Sequence, residues 1–256
     1  AYFKNDISKN EKVLYYQYLG LFYFVQLEHK KAKKVFKTLV ELTKSEDSIS
    51  HYYYTGLLGV CCLKLDETDD AILNLELAIG KVNKLTKDTK YIKFVRFYRD
   101  LGLAYKKLGY FDLALDYLEL GVEYFSDAST LKKAFIFELD RNLYDLDMMY
   151  DNLGMWQKSL DINNLRIKLF LSYPRNNKDA LINCNSRIAS IINSYDKTGK
   201  GDPYFEEALK HINYKDDHSK ILSIYIYLNI AESYLDQNRL QLSKNALDKA
   251  KEINKS

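Results

Sequence analysis

An all-α fold of stacked helical hairpins is what this sequence predicts, on three observations. Proline occurs only twice in 256 residues, at Pro174 and Pro203, so almost nothing interrupts a helix. Small residues recur on apolar helical faces at Gly20, Gly59, Gly102, Ala189 and Ala231, and Asp147 fills the slot between the third and the fourth. The successive steps are 39, 43, 45, 42 and 42 residues. Short turns rich in Ser, Thr and Asp separate the periodic segments and offer N-caps. Recurrence at such a period marks a solenoid, in which each hairpin buries its face only against its neighbours.

Ser8 followed by Glu11 is a capping box that opens the first helix. The clearest repeat runs from Tyr98 to Ala114: Tyr98, Leu101-Gly102, Tyr105, Leu108-Gly109, Tyr110-Phe111 and Ala114, with Leu118 and Gly121 beyond. Tyr98, Leu101, Tyr105 and Leu108 share one helical face. Gly102 lets the first helix of the pair, helix A, lie close to the second, helix B, and Ala114 answers it there. Gly109 ends helix A, where a left-handed backbone is cheap for glycine. This pattern resembles the tetratricopeptide (TPR) repeat.

The same template fits Leu19, Gly20, Tyr23, Ala32 and Phe36, and then Leu58, Gly59, Cys62, Leu65, Ala71, Leu75 and Ala78. Further on it fits Leu146, Tyr150, Leu153, Gly154, Trp156 and Ser159, and finally Ile230, Ala231, Tyr234, Leu240, Ser243, Leu247 and Ala250. A weaker unit holds Ile188, Ala189, Ile192 and Ala208, with a longer turn from Lys197 to Pro203 in which Asp202 is an N-cap and Pro203 a first-turn residue. The expected architecture is a right-handed superhelix of about six TPR-like hairpins in one domain, approximately 11–46, 48–87, 90–127, 130–173, 178–213 and 217–255. Turns are expected at Ser45 to Ser48, Lys87 to Thr89, Ser126 to Ser129, Pro174 to Asp179 and Lys215 to His218. Asp147 breaks the small-residue rule, so looser packing or a polar contact is expected there.

No apolar run reaches the length of a membrane span. A net charge of +3 is too small for a nucleic-acid footprint on this chain, and the basic run His29 to Lys37 reads as a helix with Ala32, Val35 and Phe36 inward and lysines outward. Cys61, Cys62 and Cys184 form an odd set without CxxC spacing, which fits a reduced, cytoplasmic setting. The four histidines lack metal-ligand spacing, and no metal or cofactor is expected. Thr198-Gly199-Lys200-Gly201 lacks the upstream glycine of a phosphate loop, and Asp66, Glu67, Asp69 and Asp70 lack the central glycine of a calcium loop, so both read as solvated turns. Asp140, Asp147 and Asp151 line one helical face beside Arg141 and read as solvated charge, with a polar network on the inner wall as the alternative. Without a nucleophile or acid–base constellation, the chain reads as non-enzymatic. It begins at Ala1 without an initiator Met, and further sequence upstream is expected.

In a TPR array the helix A faces line a concave wall. The template puts Gln17, Leu21, Phe24, Val25, Gly56, Val60 and Leu63 on a mainly apolar first part of it. Arg99, Leu103, Lys106 and Lys107 follow, with Arg96 one turn earlier, and then Tyr144, Met148, Asp151 and Asn152, with Arg141 earlier. The fifth helix A offers Asn183, Ser186, Ser190 and Asn193 on one face. The sixth offers Leu228, Glu232 and Leu235, with Tyr225 earlier. An amide pairs a donor with an acceptor and so matches one peptide group of an extended ligand. The arginines suit a carboxylate.

Six long, Tyr-, Lys- and Asn-rich units resemble the repeat domain of the Gram-positive peptide-sensing regulators, the Rap, Rgg, NprR, PlcR and PrgX group. The resemblance implies a cytoplasmic quorum-sensing receptor for a short signalling peptide, acting in transcription regulation and often as a homodimer. It implies DNA contact only through an N-terminal helix-turn-helix that is missing here. It also implies that inner-helix Asn side chains hold the peptide backbone, matched here by Asn183 and Asn193, with Asn152 and Asn229 behind and Arg96, Arg99 and Arg141 as weaker transfers. The alternatives are a general protein-interaction TPR scaffold and a Rap-type regulator of a phosphorelay protein.

Overall fold

A computed structural model of the chain describes residues 8–46, 48–85, 92–126, 135–172, 178–212 and 216–255. These residues form twelve α-helices and no strand: α1 (Lys9–Val25), α2 (His29–Thr43), α3 (Ile49–Lys64), α4 (Thr68–Leu85), α5 (Ile92–Lys107) and α6 (Phe111–Ser126), then α7 (Ile136–Asn152), α8 (Trp156–Leu171), α9 (Lys178–Asp196), α10 (Asp202–Lys210), α11 (Asp217–Asp236) and α12 (Leu240–Lys255). The turns expected at Ser45 to Ser48, Lys87 to Thr89, Ser126 to Ser129, Pro174 to Asp179 and Lys215 to His218 fall wholly or partly outside the described residues.

The chain divides into two compact units, residues 1–142 and 143–256. In the first, α1 pairs with α2, α3 with α4 and α5 with α6; α2 packs on α3, α4 on α5, and the A helices α3 and α5 touch. In the second, α9 pairs with α10 and α11 with α12, α8 packs on α9, and the A helices α9 and α11 touch. The first core is built on Phe36, Leu39, Leu57, Leu75, Phe97 and Leu101, and the second on Ile182, Ala189, Phe205, Ile226 and Ala231. A fully buried Leu such as Leu101 contributes roughly 1.5–3 kcal/mol.

A seven-residue rule closes the hairpins. Seven residues after five of the six slot positions the backbone turns left-handed: Leu27 (φ 60°), Asp66 (φ 63°), Gly109 (φ 82°), Gly154 (φ 71°) and Asn238 (φ 59°), whereas after Ala189 the left-handed residue is Lys197 (φ 35°), one position later. In each of the five the next N–H reaches back to a carbonyl inside helix A: Glu28 to Tyr23, Glu67 to Cys62, Tyr110 to Tyr105, Met155 to Tyr150 and Arg239 to Tyr234, at 2.8–3.0 Å. This is the six-to-one bond of a Schellman cap.

The two helices of a hairpin meet twelve residues after the small position. A side chain at Gly102 would place its Cβ 2.9 Å from the Ala114 carbonyl oxygen and from Leu118 Cγ. Ala32, Ala71, Ala114 and Ser159 occupy the answering site and are fully buried. In the weaker unit that site is held by Gly201 rather than Ala208: a Cβ at Gly201 would lie 2.4 Å from the Ala189 carbonyl oxygen. Ala208 is buried further along α10.

The Ser8–Glu11 capping box is present at α1. The expectation at α10 is off by one residue. Gly201 is the N-cap, and Asp202 already lies inside the helix with Pro203 following. The Asp202 carboxylate is drawn away from capping by Asn193, Arg239 and Tyr234. On α2, Ala32, Val35 and Phe36 are buried while Lys30, Lys31, Lys34 and Lys37 are exposed, as the basic run implied.

Candidate functional site

In the second unit the A helices α7, α9 and α11 are joined by a polar seam. Asp147, in the small-residue slot of α7, is fully buried. It accepts a hydrogen bond from Ser159 Oγ of α8 and two from Arg187 of α9, Nε at 3.0 Å and one terminal nitrogen at 3.2 Å. The same terminal nitrogen reaches Asp151 at 3.2 Å. The expected polar contact at Asp147 is therefore present, and Asp147 and Asp151 belong to an ion-pair network rather than to a solvated acidic face. Burial works to lower the Arg187 pKa, but the bonds to Asp147 and Asp151 outweigh it and hold the guanidinium charged.

The next rung joins α9 to α11. Asn229 donates to Ser186 Oγ at 3.1 Å. Asn193 Nδ2 donates to Ser233 Oγ and to Asp202 Oδ1, both at 2.9 Å, and its Oδ1 accepts from the Gly201 N–H at 2.7 Å. Arg239 completes this corner by bonding Asp202 at 2.9 Å with its guanidinium 4.4 Å from the Tyr234 ring centre.

This geometry sorts the expected binding residues. Asn193 is 0% exposed, and both donors and the acceptor of its amide are in use, so it does not offer that amide to a ligand. Ser186 is buried and Asn229 half-buried, and they bond each other. Asn183 and Asn152 are exposed and Ser190 is half-buried. Tyr144 is exposed, with the buried Arg166 guanidinium 5.3 Å from its ring centre. Asn183, Arg187, Ser190 and Ser194 follow at steps of four, three and four residues, so they form one polar stripe on α9. On α11, Ile221, Tyr225, Leu228 and Leu235 are exposed at steps of four, three and seven, with the exposed Glu232 between the last two.

The remaining expected residues lie in the first unit. Arg96 and Arg99 are half-buried on α5. Arg96 Nε is buried without a hydrogen-bond partner, and Arg99 lies 3.5 Å from the buried Asp100. Burial pushes the Asp100 pKa up, against the opposing pull of Arg99, Arg96 and Lys64. Arg141 is exposed and pairs at 3.8 Å with Glu138, one turn earlier on the same helix.

Burial pushes the Cys61 thiol to about 12 and the Cys62 thiol to about 11, far from a reactive thiolate. Cys62 Sγ and carboxylate oxygens of Glu67 and Asp70 lie within 4.8 Å of one another, but Lys33 already holds Glu67. In the glycine-bearing turn, Asp196 accepts from Thr198 at 2.5 Å and Lys200 at 2.6 Å. No described helix is long and apolar enough to cross a membrane.

Arg187 was not expected from the sequence. It sits two residues before a small position, outside the template's wall positions. The signal for it was Asp147: a carboxylate in a steric slot demands a cation one repeat away.

Residues 95–127 and 224–256 match the family model of the tetratricopeptide repeat. These segments span most of the α5–α6 and α11–α12 hairpins, so the chain carries TPR repeats within an all-α TPR-type fold. No curated protein matches the chain in sequence. Among solved structures, the apo form of RapI is similar at a TM-score of 0.67 and 13% identity, covering 95% of this chain and 98% of that one. BtubC from P. vanneervenii follows at 0.64 and 15%, covering 97% and 92%. A Rap protein complexed with competence and sporulation factor is similar at 0.60 and 12%, covering 97% and 76%.

Proposed function

We propose that this chain is the ligand-sensing domain of a cytoplasmic transcriptional regulator, and that it binds a short signalling peptide along the A-helix face of residues 143–256. The observation that carries this reading is the pairing of two unlike stripes on adjacent helices. The amide and hydroxyls of α9 match the alternating donors and acceptors of an extended peptide backbone. The aliphatic and aromatic stripe of α11 suits the peptide's apolar side chains. Beneath them the seam through Asp147, Arg187, Ser186, Asn229, Asn193 and Ser233 fixes the helices against one another, so little ordering is left to the moment of binding. The Rap protein solved with its signalling factor supports a peptide ligand.

Asn183, Ser190, Tyr225 and Leu228 are the contacts in this proposal, with Asn152 and Tyr144 flanking on α7. Peptide contacts spanning several helices favour one curvature of the repeats over another, and that bias is the signal passed to a DNA-binding helix-turn-helix. The likeness to RapI across nearly both chains supports a second reading, a Rap-type regulator of a phosphorelay protein in which the same face takes the same class of ligand.

Calorimetric titration with a library of short peptides tests the reading. Binding is expected for a subset, weakened by on the order of tenfold in Asn183→Ala and in Tyr225→Ala, with the melting temperature unchanged. If no peptide binds, or if both variants bind as the parent does, the assignment of this face fails.

A further inference from the structure

α1 is apolar on both sides. Its inner side, with Val13, Tyr16, Tyr23 and Phe24, packs against the first core. Its outer side carries Leu14, Tyr15, Tyr18, Phe22 and Val25, of which Tyr18 is 65%, Phe22 57% and Val25 74% exposed. At 100° per residue these five fall within one 100° stripe along the helix. No charged residue occurs between Val13 and Leu27. A helix that is hydrophobic all round is ordinarily buried all round. The last helix, α12, contrasts with it: Lys244, Asn245, Asp248, Lys249 and Glu252 stand on its exposed positions.

We infer that the outer face of α1 pairs with α1 of a second copy of this chain, antiparallel about a two-fold axis near Tyr18. The size fits. At ~200 Å² for a full aromatic or large aliphatic side chain, the five residues expose roughly 600 Å², and a standard interface buries ~800 Å² per partner, the remainder coming from a polar rim. The charge pattern selects the occupant and the direction. A face that is neutral over four turns is self-complementary, because a second identical surface brings no repulsion. Parallel pairing would set Glu11 against Glu11 and Lys12 against Lys12. Antiparallel pairing sets Glu11 against the partner's uncharged Gln26 and Lys12 against its Val25, and opposes the two helix dipoles. The midpoint between Glu11 and Gln26 falls beside Tyr18, which therefore meets its own copy.

Sedimentation of the full chain over the micromolar range tests this. A species of twice the chain's mass is expected, and Tyr18→Lys should weaken its formation by on the order of 100-fold, with helical circular dichroism and melting unchanged because Tyr18 makes little of the fold. Tyr18→Cys should give a covalent dimer under mild oxidation, free of interference from the three buried native cysteines. A chain that stays monomeric at every concentration overturns the proposal. So does a dimer that Tyr18→Lys leaves intact and Tyr18→Cys does not cross-link. Neither readout depends on peptide binding, so this inference and the proposed function can fail separately.

Discussion

Replacing Asn193 with Ala should destabilise residues 143–256 by about 3 kcal/mol. The side chain is fully buried and makes three hydrogen bonds, to the Gly201 N–H, Asp202 and Ser233. Alanine leaves the Gly201 N–H without its acceptor, and an unsatisfied buried donor costs ~1–3 kcal/mol. The bond to the Asp202 carboxylate is charge-assisted, a class that contributes ~1.5–3 kcal/mol, although Asp202 is partly exposed and recovers some of this from water. Ser233 keeps company with Gln237 and adds little to the loss. Urea titration reads the effect, with Trp156, the single tryptophan, reporting on this unit. At an m-value of ~2 kcal/mol per molar, the midpoint should fall by roughly 1.5 M. Asn183→Ala, at an exposed site, should shift it by no more than ~0.5 kcal/mol. If Asn193→Ala melts like the parent but loses peptide affinity, Asn193 is a ligand contact and the seam argument is wrong.

Gly102→Ala should cost ~1–3 kcal/mol, because its Cβ would press on the Ala114 carbonyl oxygen, which is backbone and cannot step aside; thermal unfolding checks it. Leu27→Gly should stabilise by ~0.5–1 kcal/mol, since a leucine held at φ 60° carries strain that glycine lacks; a lowered melting temperature would contradict the Schellman reading of that turn. Asp100 has its pKa raised by burial, so the native state holds its proton more tightly than the unfolded chain does. Its contribution is then most favourable below the ordinary carboxylate range and is lost as pH rises toward the raised native value. Asp100→Asn should therefore gain stability over the parent as pH rises from 4 to 7, and a gap between the two that does not change with pH would refute the assignment.

The hairpins were legible because their geometry is written in residue size. Gly20, Gly59 and Gly102 mark where helix A meets helix B, and the left-handed turn follows seven residues later even where Leu27 or Asp66 fills it. Periodicity alone reaches that far. The exposed Asn183 and Tyr225 were also within reach of the template. What it could not show is whether a polar side chain faces solvent or a neighbouring helix. Asn193 and Ser186 sit on the register of the wall, yet α11 supplies Ser233 and Asn229 to engage them, and that pairing spans about 40 residues. The extended turn after α9 hid Gly201 for a related reason: Ala208 has the right size, but only the distance to the Ala189 carbonyl distinguishes the two.

Where the other hairpins keep a hydrogen atom or a methyl group, the fourth keeps a carboxylate, and its site tolerates that only because Ser159 and Arg187 reach into it. A steric requirement has been exchanged for an electrostatic one. Divergence there is conditional: a change at 147 alone leaves the guanidinium only its bond to Asp151, a change at 187 alone strands a buried anion, and only a joint replacement, such as Asp147→Gly with Arg187→Leu, returns the hairpin to the ordinary pattern. Homologous chains should therefore vary at these two positions together.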